Sequence, residues 1–211
     1  MQKVAGGVTT QLVFDRFGHL LAEADASGTV QKEYIWLDDL PVAMMDDTGP
    51  APVRYYIHTD QLGTPQKITD GAANIVWDGQ FDPFGNIIPI SITPTTGGTN
   101  WGTGVWGSFN WALTPVVPQT NNLRFPGQYA DAETCLSQNW NRDYDPTMGR
   151  YVQSDPIGLD GGINTYGYVD QSPTSLTDFV GLDPIGQAIG TVGGRWVGGI
   201  AGGAIGEGVE P

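Results

Sequence analysis

The chain has 211 residues, and its 23 acidic side chains against 9 basic ones leave a formal net charge of −14. A field of that sign repels nucleic acid and anionic lipid, so neither is expected as a partner recruited by charge. The 31 glycines and 15 prolines exclude a helical bundle and fit short strands joined by tight turns, in one large domain or two small ones.

The first predicted element is a hairpin. Residues 10–14 alternate polar and apolar side chains, Asp15 to Gly18 supply a turn, and residues 19–23 resume an extended pattern. Asp25, Ser27 and Gly28 then punctuate the chain before a β-branched and aromatic stretch at residues 30–37, a further strand. The same grammar recurs around residues 55–63 and 74–85. Phe14-Asp15 with Gly18, Phe81-Asp82 with Gly85 and Tyr144-Asp145 with Gly149 align as an aromatic-Asp-turn-Gly unit, longer by one residue in the last copy. These are degenerate repeats. In each, the aspartate is suited to bond its own downstream backbone, the glycine to take the positive φ that ends the turn, and the aromatic ring to pack on the neighbouring unit. Trp36, Tyr56, Trp77, Tyr144 and Tyr151 are therefore expected to be largely buried, with few helices before residue 183.

Between residues 90 and 121 the grammar lapses into polar, turn-rich sequence, read as an inserted loop. Its Trp101, Trp106 and Trp111 are either anchors pinning the loop to the sheet or a platform for stacking carbohydrate. Cys135 is the lone cysteine, expected as a small buried hydrophobe, with a reactive thiol or an intermolecular bridge as alternatives. Past Leu182, glycine recurs at every fourth position from Gly186 to Gly206. On a helix this would form one close-packing stripe, but each glycine costs up to about 1 kcal/mol relative to alanine. A flexible tail and a packed or membrane-contacting helix both remain open. His19 and His58 lie in separate repeats without flanking ligands, so no zinc site and no cofactor are expected. Asp38, Asp39, Asp46 and Asp47 read as solvated charge rather than a Ca²⁺ loop. Residues 1–7 hold no apolar signal-peptide core, so export is expected to use another route or an upstream part of a longer polypeptide.

The segment containing Arg142-Asp143-Tyr144-Asp145-Pro146, Gly149-Arg150-Tyr151, Ser154-Asp155-Pro156-Ile157-Gly158-Leu159 and Asn164-Thr165-Tyr166-Gly167-Tyr168-Val169 resembles the Rhs repeat-associated core. The aromatic-Asp units likewise resemble the YD repeats of the Rhs and teneurin families. The resemblance implies an all-β fold: an antiparallel YD/Rhs-repeat sheet, a fragment of a hollow β-shell, ending in a Gly-rich C-terminal tail. It divides the chain into a repeat sheet at residues 1–89, the insertion at 90–121, the core at 122–182, and a tail or start of cargo at 183–211. It also implies a bacterial polymorphic toxin, secreted or at the cell surface and cytoplasmic before export, with a longer shell, a cargo or an immunity protein as partners.

In many members of that family the core is an aspartyl autoprotease acting in cis. Asp178-Phe179-Val180-Gly181-Leu182 resembles the family's Asp-Pro-x-Gly-Leu cleavage signature, so the resemblance assigns catalysis to Asp155 and Asp178 and the cut to the bond between Leu182 and Asp183. Two carboxylates brought close do not both ionise easily, and one can keep a proton while the other activates water. Arg150 is implied as the cation that holds an ionised aspartate. Phe179 stands in place of the signature proline, Asp160 adds a third carboxylate, and Cys135 occupies a position where relatives usually carry glycine. Read from the residues alone, Asp155 and Asp178 serve equally well as turn caps. The alternative function is a non-enzymatic structural or surface-interaction protein that self-assembles through open sheet edges.

Overall fold

A computed structural model describes residues 1–88, 119–182 and 187–188. Eight strands form one antiparallel sheet in strict sequence order: β1 (Gln2–Ala5), β2 (Val8–Phe14), β3 (Leu20–Ala24), β4 (Val30–Leu37), β5 (Leu40–Asp46), β6 (Val53–Thr59), β7 (Pro65–Thr69) and β8 (Ile75–Asp78). The predicted hairpin is β2 and β3, and the predicted strand at residues 30–37 is β4. A short pair, β9 (Gln80–Phe81) and β10 (Ile87–Ile88), follows. A second sheet of β11 (Tyr129–Asp131), β12 (Leu136–Asn139), β13 (Arg142–Asp145) and β14 (Arg150–Tyr151) is again a meander. β15 (Leu176–Thr177) pairs with β16 (Gln187–Ala188). The fold of the described residues is all-β and antiparallel, with two short 3₁₀ turns as the only helical elements among them.

Five of the turns share one device. Asp15 Oδ1 accepts the backbone N–H groups of Phe17 and His19 at 2.7 and 2.9 Å. Asp25, Asp60, Asp70 and Asp82 each do the same for the residues two and four positions on. Each of these five aspartates also accepts at its carbonyl the N–H of the residue three positions on, which has a positive φ. Four of those residues are glycine, but the corner opened by Asp70 carries Ala73 at φ 64°, a conformation that disfavours a Cβ. Asp145 caps the longer corner before Gly149.

One face of the eight-stranded sheet carries Leu12, Leu20, Tyr34, Met44, Tyr55, Ile57, Ile68 and Val76, and Leu123 and Tyr129 close over it. The strand period of two fixes which tyrosine enters this core. On β6 Tyr55 and Ile57 point inward, so Tyr56, expected in the core, is 42% exposed instead. Trp36 and Trp77 are half-buried at the margin, whereas Tyr144 and Tyr151 are fully buried as expected. They join Phe125, Tyr168 and Val169 in a second, largely aromatic cluster. Cys135 is exposed, contrary to the expected buried hydrophobe, because φ 60° at the β11–β12 turn directs the chain as a glycine would and leaves the thiol outside.

The last residues of the stretch read as an insertion return to the sheet. Gln119 N–H donates to Val76 O at 3.0 Å, its side chain reaches the Tyr55 hydroxyl, and the buried Lys32 ammonium donates to Thr120 O and Oγ1. Trp101, Trp106, Trp111 and nearly all of the Gly-rich tail lie outside the described residues. At the opposite edge, Lys3 pairs with Asp131 and Glu133 and ties β1 to the β11–β12 turn.

Replacing Ala73 by Gly is expected to raise stability by about 0.5–1 kcal/mol, and Gly63→Ala at the equivalent corner to lower it by at least as much. Opposite shifts of the urea midpoint at constant slope are the readout. Burial pushes the Asp131 carboxyl up, but hydrogen bonds with Glu133, Lys3 and Thr134 outweigh it and hold the group below the ordinary carboxylate range. Asp15 is likewise lowered, through His19 and the corner N–H groups, against the effect of burial. Depressed folded-state values mean that this stabilisation is complete above the unfolded carboxylate pKa and is lost as pH falls through the folded one. Urea midpoints are therefore expected to drop below about pH 4, less steeply in Asp131→Asn.

Candidate functional site

The two-residue turn at Trp140 and Asn141 sets Asn139 of β12 opposite Arg142 of β13. Arg142 shares a face with Tyr144, which pairs with Tyr151 of β14, and all three side chains point inward. The Arg142 guanidinium lies 3.6 Å over the Tyr151 ring. Nε donates to Gly181 O at 2.6 Å and Nη1 to Thr165 O at 3.3 Å. Nη2 lies 3.0 Å from Asp155 Oδ2 and 3.2 Å from Asp178 Oδ2, and all three side chains are almost wholly buried. One nitrogen thus faces both carboxylates, and its charge offsets their mutual repulsion.

The Asp178 carboxylate accepts from two further donors. Tyr151 donates its hydroxyl to Oδ2 at 2.8 Å, and Leu182 its backbone N–H to Oδ1 at 3.2 Å. Burial first, then the Asp178 charge, pushes the Tyr151 phenol far above its ordinary range, which keeps its proton available for that bond. Asn139 donates to Asp178 O and to the Tyr151 hydroxyl. At Gly181 an added Cβ would lie 2.4 Å from Asn139 O, so only glycine lets the chain pass this close. Asp155 serves as the turn cap read from the sequence and also pairs with Arg142. Its Oδ1 caps a turn by accepting Ile157 N–H at 2.9 Å, while Oδ2 meets the guanidinium.

Arg142 and Asp155 border a cavity of about 170 Å³, with Gly161, Asn164, Gly167 and Asp170 among its other walls. Val169, Asp170 and Gln171 on one wall all have positive φ, at 43°, 49° and 59°. A left-handed turn of L-residues costs of the order of 1–2 kcal/mol per residue. Burial of Val169 in the aromatic cluster holds it in place.

The structure thus brings Asp155, Asp178 and Leu182 together, and Asp183 lies outside the described residues. It does not bring Arg150 there. Arg150 is exposed and forms no ion pair among the described residues; Arg142 on the adjacent strand is the bridging arginine. Strand parity carried the signal, since Tyr144 and Tyr151 buried as a cross-strand pair turn Arg142 inward and Arg150 outward. Asp160 is exposed in a 3₁₀ turn and is not part of the bridge.

Residues 55–91 match the family model described as RHS protein. The chain is 32% identical over 160 residues to double-stranded DNA deaminase toxin A of Burkholderia cenocepacia, a match covering 76% of the chain and 10% of that protein. It belongs to the Rhs family. This Rhs chain is also 28% identical over 192 residues to probable deoxyribonuclease RhsB of Dickeya dadantii, across 85% of the chain and 12% of the relative. It therefore spans only about a tenth of the length of these relatives. Among solved structures, TcdB2-TccC3 without its hypervariable C-terminal region aligns with 86% of the chain and 8% of its own length, at 20% identity and a TM-score of 0.47.

Removing the cation while leaving both buried carboxylates is costly. Arg142→Met is expected to destabilise the protein by about 3–5 kcal/mol, and Arg150→Ala to change stability by less than about 0.5 kcal/mol. Urea unfolding of the two variants side by side measures the contrast.

Proposed function

We propose that this Rhs chain is the terminal core of a toxin shell and cuts its own backbone between Leu182 and Asp183, freeing the segment that follows. The observation carrying this reading is the bond from Leu182 N–H to Asp178 Oδ1, made while Asp178 Oδ2 shares one Arg142 nitrogen with Asp155. The carboxylate pair is anchored to the very residue whose carbonyl would be attacked. In the proposed reaction Asp155, which borders the cavity, takes a proton from water and the hydroxide oxygen adds to the Leu182 carbonyl carbon. The carbon–nitrogen bond to Asp183 then breaks and the proton passes to the departing amine, leaving a Leu182 carboxylate. Arg142, Tyr151 and Asp178 hold the segment in register.

A second reading is favoured by the surface beside the site. Leu159 and Ile163 are 76% and 98% exposed, with Met148 and Val152 also in the open, and the chain matches only a small part of its relatives. A non-enzymatic module that docks on a longer shell would cover this apolar surface. A bacterial secreted location, a cargo and an immunity partner belong to the toxin reading, which the names of the relatives support.

Intact-mass spectrometry of freshly purified protein is expected to give a fragment ending at Leu182 and one beginning at Asp183. Asp155→Asn removes the base, and Asp178→Asn sets an amide N–H against the Arg142 and Tyr151 donors; each is expected to abolish processing with the β-sheet circular dichroism unchanged. The Asp183-Pro184 bond is acid-labile, and its breakage leaves one more aspartate on the first fragment, which the mass resolves. A wild-type chain that stays whole for days at neutral pH would leave the docking module as the surviving reading.

A further inference from the structure

Phe179 departs from the proline of the cleavage signature, and its ring has a specific seat on the first repeat hairpin. It meets the His19 ring edge-on, with centroids 5.6 Å apart and planes at 81°. His19 lies in turn against Trp36 at 4.6 Å. Gly18 leaves the space, since a Cβ there would be 2.9 Å from the Phe179 ring and 3.0 Å from Trp140. The backbone is seated as well: a Cβ on Gly127 would lie 1.9 Å from Phe179 O.

The His19 ring is locked. Nδ1 is 2.8 Å from Asp15 Oδ2 and Nε2 is 2.9 Å from Asp39 Oδ1. Asp15 is itself the capping residue of the β2–β3 corner, so the ring plane is fixed by the repeat device. The residue directly after Asp178 thus rests on a corner of the N-terminal sheet, while Asp178 itself is bonded to Arg142 and Tyr151.

We infer that this corner is a docking seat for residues 178–182, with His19 and Phe179 acting as positioning residues that place Leu182 against Asp178. The consequence for processing rests on the self-cleavage reading above; the docking itself does not. An aromatic contact of this kind carries enough free energy to shift a local opening equilibrium by about tenfold.

The test is amide hydrogen exchange read by mass spectrometry, run with a processing time course on the full chain carrying Phe179→Ala, Phe179→Tyr or His19→Gln. Phe179→Ala and His19→Gln are expected to speed exchange across residues 178–182 by about tenfold and to slow processing, with strands β4 to β7 still protected. Phe179→Tyr, which keeps the ring, is expected to restore both. Unchanged exchange at 178–182 in Phe179→Ala and His19→Gln would overturn the inference. So would loss of protection across the whole sheet, which would reduce the contact to general packing, or a failure of Phe179→Tyr to rescue. A wild-type chain that is never cut would sink the cleavage reading alone, because the exchange measurement still decides the docking.

Discussion

The Arg142 guanidinium is the interaction on which the core depends. It stacks on the Tyr151 ring and bonds to two carboxylates and two carbonyls, which lie on segments separated in sequence. A planar fork with five donors suits this task as a lysine ammonium would not. A buried charge becomes costly once its partners are removed, so the members of the cluster stabilise one another. Loops with little regular structure between residues 152 and 182 thereby acquire a defined position, while the left-handed turn at Val169 to Gln171 is held by burial of Val169 in the neighbouring aromatic cluster.

The same chemistry gives the site its dual character. Asp155 caps a turn with one oxygen and meets the guanidinium with the other, so structural and chemical readings of this residue do not compete. Asp178 likewise secures strand β12 through Asn139 and receives Leu182 N–H. A group built so firmly into the framework has little freedom to change its orientation, which any chemistry proposed for it would inherit.

Much of the architecture was legible because its signals are local. An aspartate with a glycine three positions on is a turn with a mechanism, and the corners at Asp15, Asp25 and Asp82 sit where those residues predict. The core motif pointed to Asp155 and Asp178, which meet at one guanidinium, but the arginine it implied was Arg150 and the one that joins them is Arg142. What escaped depends on strand parity or on distance. Tyr55 and Tyr56 are identical side chains, and only pairing decides which is inside. Arg142 and Arg150 belong to one motif and differ by the face on which they fall. Cys135 looked apolar, but the backbone conformation at its turn, not its chemistry, decides its exposure. No local pattern links His19 to Phe179, near the two ends of the described chain, because their contact exists only once the second sheet has settled on the first.

The order of the large sheet carries a kinetic consequence. Every strand from β1 to β8 pairs only with its neighbours in sequence, and each capped corner is closed by bonds within its own few residues. Contacts of such short loop length assemble quickly for a β-protein, one hairpin at a time as the chain emerges. Their registers need no long-range search, so shortening the meander at a corner should yield a smaller sheet of the same kind rather than a misfolded one.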